Sequence, residues 1–280
     1  MNDPLKHKAR KRFGQHFLHD QNIIRKLLSA LNPKPTDTLI EIGPGEGALT
    51  FPLLERCSEL TAIELDRDLI PILQQNSKPF GQLNLINSDI LKIDMSALSL
   101  DPPFRLVGNL PYNISTPLMF HMLEYHQLIK DMHFMVQKEV AQRIIALPNQ
   151  PSANSKHYGR LSVMMQYHCH CEYLFDVPPG CFSPPPKVDS SIIRLIPHAT
   201  PPVQVTDMDA FAAVVLSAFN QRRKTISNSL GKLLTRDQIL SLDIDPGARA
   251  ENLTLKDFAQ LSNMTTEMNE TTTNQSKISI

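Results

Sequence analysis

Thr38-Leu39-Ile40-Glu41-Ile42-Gly43-Pro44-Gly45-Glu46-Gly47 decides the fold of this chain. An apolar, β-branched run opens directly into a turn with glycine at alternate positions. Residues without a Cβ adopt backbone conformations and tolerate close approaches that others cannot, so this is how a strand ends beside a ligand. Four more runs repeat the strand signal, at 60–64, 83–87, 105–109 and 133–137, with helical stretches between them. Such alternation predicts an α/β fold, a largely parallel sheet with helices on both faces, whose ligands bind at the carboxyl ends of the strands.

The rest of the chain is read from that sheet outward. Residues 161–175 and 190–196 read as two late strands joined by a proline-rich loop, an antiparallel hairpin on the edge of the sheet. The prolines of 197–202 mark a linker, and helical patterns follow at 209–217, 225–234, 236–242 and 254–261. The expected organisation is a Rossmann-like domain over 1–200 with a basic N-terminal arm, a small all-helical C-terminal domain over 201–262, and a disordered tail over 263–280, where Thr, Asn, Glu and Ser dominate.

At 280 residues and 41% hydrophobic content the chain is long enough for this arrangement. Its formal charge of zero argues against nucleic acid, but the charges are unevenly placed. Lys6, Lys8, Arg10, Lys11 and Arg12 crowd the start, and Arg222-Arg223-Lys224 forms a second basic cluster. Either alone reads equally well as a solvated face; together they point to RNA. The spacing of Cys57, Cys169, Cys171 and Cys181 does not resemble a disulfide framework, and no apolar run reaches the length of a membrane span. A soluble protein of the reducing cytoplasm is expected. His168-Cys169-His170-Cys171 looks like a metal site, but on a strand these side chains alternate between faces and each face offers two ligands, so no metal is expected.

Two neighbouring pockets follow from the strand ends. The glycine turn resembles the dinucleotide-binding turn, but its third glycine comes one residue early, Glu41 precedes it, and a second dinucleotide half is missing. These features favour S-adenosyl-L-methionine over NAD. Gly43, Gly45 and Gly47 would pass close to the cofactor, Glu64 with Leu65 would hold its ribose, and Asp89 with Ile90 its adenine. Taken singly, Glu64 and Asp89 also suit helix caps; acids ending three successive strands suit a ligand better. Beside this pocket, Asn109-Leu110-Pro111-Tyr112 ends another strand. The Asn109 side-chain carbonyl and the Leu110 backbone carbonyl can each accept from an exocyclic amine, Pro111 stiffens the loop, and Tyr112 offers a face for a base. Methylation of adenine at N6 needs those parts.

These residues resemble the ribosomal RNA adenine N6,N6-dimethyltransferases, and within them the bacterial small-subunit type, over about residues 10–261. The likeness is carried, in order, by Phe13-Gly14-Gln15-His16-Phe17-Leu18, residues 41–47, Glu64-Leu65-Asp66, Ser88-Asp89, Asn109-Leu110-Pro111-Tyr112, residues 137–143, Phe182-Ser183-Pro184-Pro185-Pro186-Lys187-Val188, and Asn220-Gln221-Arg222-Arg223-Lys224. The resemblance implies that Gln15, His16 and Leu18 cover the cofactor, that Gly43, Glu64, Asp89 and Asn109 line its pocket, and that the target adenosine lies between Tyr112 and Phe182. The family usually carries Asn where His16 stands. It further implies dimethylation of two adjacent adenosines in a 3′-terminal hairpin of 16S rRNA within the small ribosomal subunit, in ribosome biogenesis; an asymmetric RNA substrate needs only a monomer. Two readings compete: the 23S rRNA methyltransferase of the macrolide-resistance type, and an assembly factor whose binding matters more than its catalysis.

Overall fold

The computed structural model describes residues 15–150, 157–221 and 223–278, with side chains as far as Met268. The chain divides into two compact units, one formed by Met1–Ala141 with His170–Pro197 and the other by Gln142–Cys169 with His198–Ile280.

In the first unit, β1 (Phe17–Leu18) and α1 (Gln21–Leu31) precede the sheet. The core of the alternation is β2 (Thr38–Ile42), α2 (Thr50–Cys57), β3 (Glu59–Glu64), α3 (Ile70–Ser77), β4 (Gln82–Asn87), β5 (Phe104–Asn109), α4 (Ser115–Glu124) and β6 (Ile129–Gln137). After α5 (Lys138–Ile145) and α6 (Arg160–His168), the chain returns through β7 (Cys169–Val177), β8 (Phe182–Ser183) and β9 (Ser190–Pro197). The seven-stranded sheet has the order β4-β3-β2-β5-β6-β9-β7. Its strands β4, β3, β2, β5 and β6 are parallel, and β9 joins β6 antiparallel with Ser190 opposite Gln137. The expected parallel sheet is therefore present, with the late strands β9 and β7 at its edge.

Helix α1 shows how local sequence sets this packing. Asp20 caps it by accepting from Asn22 N and Ile23 N, and Asn32 closes it in the left-handed conformation. Ile24, Leu27, Leu28 and Leu31, spaced to share one helix face, are buried with Leu39, Leu53, Leu54, Leu60 and Val107 in a common core. Arg105, early in β5, is also buried, and its guanidinium donates to Asp131 twice, to Asp37 and to the Leu31 carbonyl.

The second unit is helical: α6 packs with α7 (Met208–Asn220) and α10 (Leu255–Ile278), and α8 (Ile226–Ser229) and α9 (Arg236–Ser241) lie between these last two in sequence. Two expectations change here. Residues 161–168 form helix rather than strand, because Leu161, Ser162, Val163, Met164, Met165 and Tyr167 are all buried, and burial around the whole circumference erases the helical period. Helix α10 continues through 263–278, across the stretch read as a disordered tail; Ser262, Thr265 and Thr266 are buried along it, and the two threonines return their hydroxyls to the carbonyls four residues earlier.

Candidate active site

Strands β2, β3, β4 and β5 end on the same edge, and the loops leaving them line a cleft open to solvent. Ile42, Gly43 and Gly45 come from the β2 turn, Ile63, Glu64 and Leu65 from β3, Ser88, Asp89 and Ile90 from β4, and Asn109 to Ile114 from β5. Gln15, His16 and Phe17 close the remaining side.

The glycine turn is built for close approach. Gly43, Gly45 and Gly47 have φ of +67°, +58° and +92°. A Cβ on Gly45 would lie 3.0 Å from the Phe17 ring, so the bare backbone lets the N-terminal segment fold against the turn. Gly45 N donates to Glu64 Oε2 at 3.2 Å, and Asp66 N to Glu64 Oε1 at 2.7 Å. Burial pushes the Glu64 carboxyl above the usual range, offset by these backbone donors. Asp89 caps the short turn after β4 by accepting from Leu91 N. Gln15 Nε2 donates to Asp66 Oδ2 at 3.3 Å.

On the other side of the cleft, Asn109 ends β5 and its Nδ2 donates to the His16 carbonyl at 2.8 Å, which leaves Oδ1 as its acceptor. Leu110 N donates to the Met135 carbonyl, carrying the β5/β6 ladder one residue into the loop. Tyr112 is half-buried, its phenol pushed up by burial and hydrogen-bonded to Ser190 Oγ at 2.7 Å. The His16 ring lies 5.5 Å from that of Tyr112, tilted by 30°, and His16 Nδ1 is 2.7 Å from the Pro184 carbonyl.

The structure thus gathers Gln15, His16, Gly43, Gly45, Glu64, Leu65, Asp89, Ile90, Asn109, Leu110, Pro111 and Tyr112 around one cleft. Four expected site residues stand elsewhere. Glu41 and Leu18 line a small adjoining cavity that shares Phe17, Gly43, Gly45 and Asn109 with the cleft. There Glu41 accepts from Thr50 Oγ1 at 2.6 Å, and burial pushes its carboxyl up to about 8. Gly47 lines neither space: Gly47 N closes the turn on the Pro44 carbonyl, and a Cβ there would meet the Phe51 ring at 2.4 Å. Phe182 faces the core, 3% exposed, because its antiparallel pairing with Leu18 turns the ring inward among Leu28, Val177 and Ile192. That corrects its expected place against the target base; the aromatic rings that line the cleft are those of Tyr112, His16 and Phe17.

Of the basic residues, Arg223 and Lys224 are exposed in the second unit, while Lys8, Arg10, Lys11, Arg12 and Arg222 lie outside the described residues. Phe17, Ile42, Ile63 and Ser88 line the cleft from within stretches read in the sequence but were given no role there, and Asn113 and Ile114 line it with adjacency to the tetrapeptide as their available signal. Ser190, on a strand distant in sequence, carried none.

A Rossmann-like sheet with a glycine turn and a polar tetrapeptide at its carboxyl edge defines the methyltransferase class, and solved structures agree. A dimethyladenosine transferase from Plasmodium falciparum superposes with a TM-score of 0.74 at 26% identity, covering 88% of this chain and 96% of that one. The 23S rRNA methyltransferase ErmE does so with a TM-score of 0.69, also at 26% identity, covering 89% and 99%. The model of the ribosomal RNA adenine dimethylase family matches residues 6–267, and the chain belongs to that family. Among curated relatives, ribosomal RNA small subunit methyltransferase A of Acinetobacter baylyi is 52% identical over 257 residues, 91% of this chain and 92% of the relative. Its counterpart in Pseudomonas syringae pv. syringae is 51% identical over 270 residues, 95% and 98%.

Proposed function

We propose that this enzyme dimethylates N6 of two adjacent adenosines in a 3′-terminal hairpin of 16S rRNA, using S-adenosylmethionine, on the small ribosomal subunit or its precursor. The observation that carries the proposal is the meeting of Asn109-Leu110-Pro111-Tyr112 with the glycine turn and Glu64 in one cleft. Full-length relatives at about half identity bearing the small-subunit name favour 16S over 23S rRNA as substrate.

The cleft residues fit the cofactor. Ile63, Leu65 and Ile90 offer apolar contact for a purine, and the Glu64 carboxylate, held by the backbone N–H groups of Gly45 and Asp66, retains acceptor capacity for a ribose hydroxyl. Asp89, with one backbone donor, retains acceptor capacity for the adenine amine. Gln15 and His16 cover the cofactor from the N-terminal side, with Leu18 anchoring their segment to the core. When bound, S-adenosylmethionine supplies an electrophilic methyl group on a sulfonium.

The work of the chain is orientation. An adenine amine is a weak nucleophile because its lone pair is delocalised into the ring. Asn109 Oδ1 and the Leu110 carbonyl accept its two hydrogens, turn the lone pair outward and stabilise the positive charge that builds on nitrogen. Tyr112 stacks the base. Once the methylated nitrogen has lost one hydrogen to solvent as a proton, a single hydrogen remains, and the neutral Asn109 amide tolerates the lost partner better than a carboxylate would. RNA affinity comes from Lys8, Arg10, Lys11, Arg12, Arg222, Arg223 and Lys224, and the enzyme acts as a cytoplasmic monomer without a metal.

The test is transfer of labelled methyl to unmethylated 30S subunits and, separately, to naked 23S rRNA, followed by mass spectrometry of the nucleosides. Dimethyladenosine in 16S rRNA alone is expected. Label confined to 23S rRNA would reassign the substrate, and none in either would favour a role in assembly through binding.

A further inference from the structure

The geometry points to Ser190 as a positioning residue that sets the plane of the Tyr112 ring for the incoming adenine. This inference rests on the reading of Tyr112 as the base-stacking surface.

Ser190 is the first residue of β9, opposite Gln137 at the end of β6, so it sits at the sheet edge where the Tyr112 loop emerges. Successive residues of a strand point to opposite faces. Ser191 bonds Tyr173 and Asp176, whereas Ser190 bonds the Tyr112 phenol at 2.7 Å. The turn before it is fixed as well, since Lys138 N donates to the Asp189 carbonyl at 3.0 Å. Ser190 has no exposed surface, so water cannot replace the phenol as its partner.

A stacking platform is useful only in the right plane. Tyr112 sits in the loop after β5, and two contacts limit its ring: Ser190 holds the hydroxyl, and the His16 ring lies 5.5 Å from one side. His16 belongs to the N-terminal segment and is held by contacts with other loops, its carbonyl by Asn109 Nδ2 and its Nδ1 against the Pro184 carbonyl. The Ser190 contact comes from the sheet and stays. It therefore keeps Tyr112 in the stacking plane when the target base arrives, and avoids ordering the ring at the moment of reaction. A ring free to rock would still bind RNA, whose affinity comes largely from the phosphate backbone, but would hold the amine less well against the methyl donor.

The experiment compares wild type, Ser190→Ala, Tyr112→Phe and the double variant in methyl transfer to unmethylated 30S subunits. S-adenosylhomocysteine binding by calorimetry reports whether the cofactor side is intact. Ser190→Ala is expected to bind S-adenosylhomocysteine normally and to lower kcat about 10-fold, with KM for 30S subunits within about 2-fold of wild type. On the Tyr112→Phe background it should have no further effect, because the hydroxyl through which Ser190 acts is already gone. Independent, multiplying effects of the two substitutions would overturn the inference, as would an unchanged kcat. Loss of S-adenosylhomocysteine binding by Ser190→Ala would overturn it too, by showing a merely structural serine. Failure of the wild type to methylate 30S subunits would overturn the functional reading and this inference together; wild-type transfer with unaltered Ser190→Ala would overturn this inference alone.

Discussion

Asn109 Nδ2 lies 2.8 Å from the backbone carbonyl of His16, so one side chain ties the N-terminal segment to the end of β5 while its oxygen remains an acceptor for substrate. Replacing it with Asp sets a carboxylate oxygen against that carbonyl and puts a charge where an amine must shed one hydrogen partner. Asn109→Asp should lose about 10²-fold in kcat, in the range of one lost polar contact at a reacting centre. Its residual product should be enriched in monomethyladenosine. The check is the mono- to dimethyl ratio by nucleoside mass spectrometry; the wild-type ratio in the variant would count against the two-acceptor scheme.

Glu41, 2% exposed with its carboxyl pushed up to about 8 by burial, makes stability depend on pH. In the unfolded chain the group ionises near its ordinary 4.5, so below that pH both states hold the proton and the buried neutral acid costs nothing extra. As pH rises from there toward 8, ionisation favours the unfolded state and stability falls, a loss on the order of a few kcal/mol. Glu41→Gln should remove this slope. Urea unfolding at intervals across that range should show wild type declining relative to the variant; parallel curves would refute the assignment.

Gly47 combines a φ of +92° with the Phe51 ring 2.4 Å from where a Cβ would stand. Gly47→Ala should therefore destabilise the fold by roughly 1–3 kcal/mol, through backbone strain and displacement of Phe51 from its stack on Phe80. Thermal unfolding measures the loss. Because Gly47 lines neither the cleft nor the adjoining cavity, S-adenosylhomocysteine affinity at a temperature where the variant is folded should change much less than a substitution of Gly45 would change it.

Arg105 supports the sheet from within. Its guanidinium reaches Asp37 at 2.7 Å, Asp131 through two contacts of 2.9 Å and the Leu31 carbonyl at 2.7 Å. Removing it takes both close donors from the buried Asp131 and leaves Asp37 to Lys130 and the Lys34 N–H, so Arg105→Met should cost about 3–5 kcal/mol. Adding Asp131→Asn should recover part of that loss, because it removes the stranded charge. Denaturant unfolding of the single and double variants decides this, and a double variant less stable than Arg105→Met would show the network wrongly apportioned.

Local patterns carried most of the architecture. The strand ending in Gly43-Pro44-Gly45-Glu46-Gly47, the acids closing the next two strands and the tetrapeptide after β5 were readable because each is a short-range consequence of residue type: a glycine permits a turn, an acid at a strand end meets a ligand, an alternation of elements forces a parallel sheet. Residues 161–168 were misread for the complementary reason, since a helix buried on every side has no polar face to betray its period.

What the tertiary structure alone decided were the partnerships. Phe182 looks like a base clamp in sequence, yet pairing with Leu18 sends its ring into the core. Glu41 looks like a ligand for the cofactor, yet Thr50 and full burial hold it in the adjoining cavity. Ser190, without any signal in sequence, meets Tyr112 because β9 inserts beside β6 and brings together residues 78 positions apart. The sequence by itself determined the class of fold and the chemistry at the strand ends, because those depend on the residues immediately around each turn. Which side chains face the cleft, and which hold others in place, depends on strand register and on competition for burial across the whole sheet, and no local pattern encodes either.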